Sequence, residues 1–358
     1  MSDKDSQVIN LIRFPLAVMV VLIHCGSRSF VDGGEWFRTL VSDVLPAIAV
    51  PLFFVISGFL FFQGLEQWDW EKWKGKMRRR VKTLLIPYLI WVTLFICYVY
   101  LHQCRLSVSA GESWLPLGQW LADNGGIRMW WDSNVTLQDH PFGYKVFSAH
   151  PYHEVLWFVR DLIVINLLSP LIYFLLSKAG RWILLILLVL NLLRLWPPFH
   201  SISISCVFFY SAGAYLAIKG KCLVDTLSRV RIAAWVMAGI LVIPMVVFRN
   251  DAFFILAKQI WIIAWGITFV TITALISYDR NKRERLILFF ADSTFFVYVT
   301  HPVVQSNIKQ ALMVLPPFKL GEVTVLLLTA ILTVAFCVFC YFLLRKFLPR
   351  LCTVLCGR

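Results

Sequence analysis

Two ionisable residues interrupt the first apolar run of the chain, Arg13 and His24, in the stretch Arg13-Phe14-Pro15-Leu16-Ala17-Val18-Met19-Val20-Val21-Leu22-Ile23-His24. An ionisable group inside a membrane span costs roughly 2.5–3.5 kcal/mol on insertion scales, so its presence asks for a chemical use. On a helix, their spacing leaves the two side chains about 20° apart around the axis and about 16 Å apart along it. One face would then hold a permanent cation at one depth and a titratable base at another. The cation suits an anionic group, and the imidazole suits removal of a proton from a hydroxyl near neutral pH. A snorkelling arginine and an interfacial histidine would account for the same two residues without chemistry.

Further along, Phe53-Phe54-Val55-Ile56-Ser57-Gly58-Phe59 places a small pair, Ser57 and Gly58, at a depth similar to that of Arg13. Such a pair permits close backbone approach, either to a ligand or to another helix. Leu156-Trp157-Phe158-Val159-Arg160-Asp161 puts two opposite charges on adjacent residues. Their side chains leave a helix about 100° apart and need not pair with each other. Tyr298-Val299-Thr300-His301 closes a later apolar run. By depth, His24, Arg160, Asp161 and His301 are expected to share one pocket.

The elements that must carry these residues are membrane helices. The chain has 358 residues, 59% hydrophobic and 15% charged, with a mean hydropathy of +0.74. Soluble domains carry about 25% charged residues. The composition excludes a soluble enzyme, a disordered chain and a disulfide-stapled secreted domain. Runs of roughly 20 apolar residues predict ten spans, at about 8–26, 42–64, 82–101, 154–177, 182–197, 203–218, 231–248, 253–277, 286–304 and 322–344. The expected fold is all-α, a polytopic integral membrane helical bundle forming a single domain over 1–358, with one long extracytoplasmic loop at about 102–153.

Basic residues cluster at Lys72–Lys82, Lys178–Arg181, Lys219–Arg231, Arg280–Arg285 and Arg345–Arg358. Ten spans bring all these clusters to one side, which basic loops mark as the cytoplasm, with both termini there. The net charge of +14 therefore reads as topology and not as a nucleic-acid surface. Arg78, Arg79 and Arg80 form a basic cytoplasmic mouth suited to phosphate; anionic lipid would draw the same cluster. The long loop holds Trp114, Trp120, Trp130 and Trp131, either as interfacial aromatics or as a platform for sugar rings. Among nine cysteines, Cys337 and Cys340 have metal-like spacing but no second pair, so no metal site is expected.

Taken in order, these motifs resemble the acyltransferase-3 type of membrane-bound O-acyltransferase, a family that acylates bacterial surface carbohydrates. The resemblance rests on the spacing of Arg13 and His24, the stretch 53–59, the basic run leading into Pro87-Tyr88, Leu156-Trp157-Phe158 and Tyr298-x-x-His301. Asn10 and Thr83 depart from the family's usual Asp and Arg. The resemblance implies an acyl-CoA-dependent enzyme of the bacterial inner membrane, with acetyl-CoA or another acyl-CoA as donor substrate and no permanently bound cofactor. Its expected partners are acyl-CoA, a carbohydrate acceptor on the outer side and the lipid bilayer, with no nucleic acid. It implies His24, Arg13, Arg160, Asp161 and His301 as catalytic residues, with His24 as general base and Arg160 or His301 facing the developing oxyanion. Arg78, Arg79, Arg80, Ser57 and Gly58 are expected to bind acyl-CoA, and Trp157 and Tyr298 the acceptor. The rival reading is a transporter or flippase for a polysaccharide precursor, since intramembrane His, Arg and Asp also build relays.

Overall fold

The computed structural model describes residues 1–26, 34–65, 67–140, 142–248, 252–276, 280–314 and 320–358. It is a bundle of helices with a single small hairpin. α1 (Asp3–Cys25) is followed by α2 (Glu35–Arg38), which runs through a π turn at Thr39–Val44 and a 3-10 turn at Leu45–Ile48 into α3 (Ala49–Phe62). α4 (Trp70–Arg80) passes through a π turn at Val81–Leu85 into α5 (Ile86–Ser109). The long loop folds as α6 (Leu117–Asp123), a 3-10 turn at Gly126–Trp130 and the antiparallel strands β1 (Asn134–Asp139) and β2 (Lys145–His150), paired from Asn134–His150 to Asp139–Lys145.

α7 (Trp157–Leu167), α8 (Ser169–Leu192), α9 (Ile204–Ile218), α10 (Leu223–Ser228), α11 (Arg231–Val247), α12 (Ala252–Leu275), α13 (Arg280–Val314), α14 (Glu322–Phe347) and α15 (Pro349–Cys356) complete the chain.

Among the described residues, seven helical stretches are long and apolar enough to cross a bilayer, and two shorter apolar helices, Ile204–Ile218 and Arg231–Val247, lie among them. The remaining predicted break, between spans four and five, falls at Ala179, where φ −132° and ψ 30° interrupt α8. Gly180 follows, with the Tyr215 ring where a Cβ would stand.

The predicted spans differ from the structure in their bounds: span four is divided between α7 and α8, and α8 also carries span five. The basic stretch expected as a loop before span three is helical, so one continuous helix runs from Trp70 to Ser109. Asp69 starts it by accepting the N–H groups of Glu71 and Lys72, at 2.9 and 3.1 Å. Such a helix is about 60 Å long, twice the hydrocarbon thickness, so its charged first turns extend past the apolar part.

Hydrogen bonds and ion pairs sort the connections into two ends of the bundle. At the first end, Lys4 pairs with Asp225 at 3.1 Å, and the buried Asp5 carboxylate accepts the N–H groups of Leu223 and Val224. There too Trp73 donates to Ser169 at 2.9 Å, and Arg345 and Arg358 reach Asp292. At the second end, Arg38 donates to Gly26, Trp265 to Leu45, Lys309 to Cys25 and Tyr144 to Leu193. This grouping of Lys4, Asp225 and Asp292 apart from Gly26, Leu193 and Lys309 is compatible with the expected alternation of the spans.

α1 occupies the middle. Its Val8, Ile9, Ile12, Leu16, Ala17, Val20 and Val21 are buried against neighbouring helices. α3 and α9 pack with backbones nearly touching: a Cβ on Gly58 would lie 2.1 Å from the Tyr210 carbonyl oxygen, and one on Gly213 would lie 2.0 Å from that of Val55. Small residues allow this approach, which brings dispersion contacts that a larger side chain would forbid.

Candidate active site

Two cavities enter the bundle from opposite ends. The one at the first end has a volume of about 480 Å³. Arg13 of α1, Ser57 of α3, Arg80 of α4 and Tyr298 of α13 line it, so four sequence-predicted residues from four helices converge there. The structure adds two that sequence reasoning did not select, Asp292 and Arg358, which pair at 2.6 Å. α15 carries Arg358 to this mouth. Its Leu355 carbonyl accepts the Trp91 indole N–H at 2.9 Å, and Gly357, at φ +66°, sits where a Cβ would meet the Thr83 carbonyl oxygen at 2.1 Å.

The other predicted members of the donor site lie elsewhere. Arg78 and Arg79 are exposed on α4, while Arg80 turns inward with its guanidinium 5.7 Å from the centre of the Phe61 ring. Gly58 is consumed in the α3–α9 contact. Lys76, on the inner side of the same turn, donates to the carbonyls of Phe61 and Gln63 and ties α4 to the end of α3.

Beyond Tyr298 the cavity gives way to a pair of imidazoles. His24 and His301 face each other with ring centres 5.2 Å apart, and the Tyr298 and His301 rings are 6.4 Å apart. His301 is fully buried. Its setting follows from the next residue: Pro302 has no N–H, so the Tyr298 carbonyl four residues back lacks its helical partner. His301 Nδ1 takes that place, 2.7 Å from the Tyr298 oxygen. A carbonyl can only accept, so Nδ1 carries the proton, and in the neutral ring Nε2 holds the lone pair. Nε2 is buried and makes no hydrogen bond among the described residues. His153 is fixed in the same way one carbonyl further on, with Nε2 donating to Val299 at 3.0 Å and its ring stacked on Phe95.

With its proton on Nδ1, the neutral His301 ring offers an acceptor at Nε2, whereas the expected contact with an oxyanion needs the protonated ring. Tyr298 separates this pair from the first cavity; its hydroxyl donates to the Val155 carbonyl. Arg13 and His24 share a helix, as their spacing predicts, but Arg13 lines the cavity and His24 lies past its end.

The second cavity, about 250 Å³, lies at the other end, between β2, the start of α7 and the 194–205 connection. Trp157, Arg160 and Asp161 line it. The sequence reading placed Arg160 and Asp161 in one pocket with His24 and His301 and left their mutual pairing open. In the structure they pair with each other at 2.8 Å, almost wholly buried, on a cavity that neither histidine lines. The guanidinium is long enough to curl back across the angle between adjacent positions. Its remaining donors go to the carbonyls of Trp131 and Ala149, at 2.7 and 2.9 Å, and Asp161 accepts the Ser203 N–H at 3.0 Å. This network pins the long loop and the 202–203 backbone to α7.

Three of the four loop tryptophans are used in the same way, while Trp114 is exposed. Trp120 is buried, Trp130 donates to Thr93 and Trp131 lies 6.0 Å under the Arg160 guanidinium. Glu154 lies 3.4 Å from His150, which lines the cavity.

A model of the acyltransferase domain family matches residues 7–343, and the chain belongs to that family. It is similar to the succinoglycan biosynthesis protein ExoH of Rhizobium meliloti (strain 1021), with 32% identity over 258 residues, 69% of this chain and 62% of the relative. The chain thus matches somewhat less than two thirds of that relative's length. No solved structure matches it.

Proposed function

We propose that this acyltransferase moves an acyl group, acetyl in the simplest case, from cytoplasmic acyl-CoA to a hydroxyl of a cell-surface or lipid-linked carbohydrate, in a bacterial inner membrane. Family membership supports acyl transfer. The similarity to a protein named for polysaccharide biosynthesis supports a carbohydrate acceptor. The observation that carries the reading is the first cavity, which runs from Arg80 and Arg358 past Arg13 and Ser57 to Tyr298, beside the His24–His301 pair.

In this reading the end that holds Lys4 and Arg358 faces the cytoplasm, in keeping with its basic residues. Arg80, with Arg358, receives the phosphates of the donor through charge-assisted hydrogen bonds. The thioester arm extends past Arg13 and Ser57. Displacement of the Tyr298 side chain joins the cavity to the imidazoles. His24 takes the proton of the acceptor hydroxyl as its oxygen bonds to the thioester carbonyl carbon. The C–S bond then breaks, the CoA thiolate leaves, and the proton passes to it. His301, with its lone pair at Nε2, accepts a hydrogen bond from His24 or from the hydroxyl and orients the transfer. Trp157 lies at the opposite opening, where the acceptor approaches.

The test is transfer of label. Isotopically labelled acetyl-CoA is supplied to membranes with and without the protein, and surface glycans are analysed by mass spectrometry. The reading expects one acyl mass to appear on a glycan only with the protein. Label that stays on CoA while glycan crosses the membrane would overturn it in favour of a transporter.

A further inference from the structure

The second cavity holds a cation that neither the fold nor the proposed chemistry uses. Arg194 lines it beside Trp157, Arg160, Asp161, Trp196 and Phe147. Arg160 and Asp161 neutralise each other. Arg194 makes no ion pair or side-chain hydrogen bond among the described residues. The charge left over in the cavity is therefore positive.

The backbone at Arg194 points the same way. α8 ends in a Schellman motif: the Leu195 N–H reaches the Leu190 carbonyl at 2.9 Å, and the Arg194 N–H reaches that of Asn191 at 3.2 Å. This motif places its C′ residue in the left-handed region, a position usually given to glycine. Arg194 occupies it with φ +51°, and every other residue with positive φ among the described ones is glycine. An arginine is thus held where glycine would be less strained. Such strain persists where a side chain is needed for something other than the fold. Aromatic walls at Trp157, Trp196 and Phe147 flank the charge, and the volume of about 250 Å³ suits one saccharide unit more than a chain.

We infer that the second cavity selects a negatively charged acceptor, an acidic or phosphorylated sugar whose anionic group is bound by Arg194. The inference rests on the proposal that this cavity receives the carbohydrate, and it names the class of carbohydrate. Arginine meets a carboxylate or a phosphate with two parallel N–H donors, a geometry that lysine lacks. The aromatic faces would hold the sugar ring, and the anion would fix its orientation.

Binding to the purified protein in detergent, read by tryptophan fluorescence, tests this with two matched pairs. The first is a glucuronate-containing tetrasaccharide against the same compound with its carboxylates reduced to alcohols. The second is glucose 6-phosphate against glucose. Wild-type protein is expected to favour the anionic member of at least one pair by tenfold or more, and the pair that responds identifies the anion as carboxylate or phosphate. Arg194→Gly should retain or raise the melting temperature, because glycine suits the C′ position, and should lose the preference. Equal affinities within both pairs, or a preference that survives Arg194→Gly, would overturn the inference. Trp157→Ala separates this failure from that of the underlying proposal. If it weakens neutral and anionic members alike, the cavity holds sugar whatever the charge rule. If no member binds to wild type, the acceptor cavity and the charge rule fall together.

Discussion

The two cavities differ in what their charges are tied to. In the second, Arg160 and Asp161 are locked to each other and to three backbone groups and hold a loop in place, which leaves Arg194 as the one lining cation without such a partner among the described residues. In the first, Arg13, Ser57 and Arg80 are brought together by separate helices, and Asp292 supplies a carboxylate to the lining, paired with Arg358. A buried charge with full partners is a structural part, and removing one member strands the other. A cation that faces a cavity without a full set of partners is available to a ligand. Position in the sequence does not distinguish the two cases, since both sets are charged residues in or beside apolar runs.

That contrast can be broken at several points. The largest effect is expected at the imidazole pair. His301→Gln should lower acyl transfer by about 10²-fold, the usual cost of misplacing a reacting group, with the melting temperature near that of wild type. A rate within threefold of wild type would remove His301 from the chemistry.

Arg160→Met should act on stability instead. Breaking a buried pair by removing one partner typically costs about 3–5 kcal/mol, so a clear fall in melting temperature is expected in detergent, and replacing both partners by apolar residues should recover part of it. A stable Arg160→Met protein with lost transfer would move Arg160 from the scaffold to the reaction.

Arg80→Ala should do the reverse and weaken donor affinity roughly ten- to a hundredfold, the 1.5–3 kcal/mol of a charge-assisted contact, with little change in melting. Unchanged donor affinity would place the phosphates elsewhere. The smallest effects are expected for Arg78→Ala and Arg79→Ala, whose side chains are exposed on α4; donor affinity should stay within about threefold.

The helices and their alternation were legible because burial in lipid demands long apolar runs, and basic residues punctuate them. Arg13, Ser57 and Tyr298 were legible one by one, because each is polar or small where the surroundings are apolar, and Arg80 as part of a basic run; that Tyr298, expected at the acceptor, lines the same cavity as the other three was not legible. The roles of Gly58 and Arg160 were not. Gly58 owes its use to the α9 backbone at Tyr210 and Ala214, about 150 residues away, and no local pattern reveals that partner. Arg160 and Asp161 needed the carbonyls of Trp131 and Ala149, which the loop delivers only in three dimensions.

Asp292 and Arg358 reach the mouth through the packing of α13 and α15; Arg358 reads in sequence only as a terminal charge, and Asp292 is a charge inside the predicted span 286–304 whose partner the sequence does not name. One signal was available and unused. His301-Pro302 tells by itself that a freed carbonyl lies four residues before the proline, within reach of the histidine ring.

Acyl transfer by this bundle depends most directly on His24 as the base beyond Tyr298. The decisive measurement is transfer of label from acetyl-CoA to glycan by wild type and by His24→Gln, each purified, reconstituted and shown to melt at the same temperature. The account predicts glycan labelling by wild type and a loss of at least a hundredfold in His24→Gln, with donor affinity retained. Labelling by His24→Gln at the wild-type rate would contradict it.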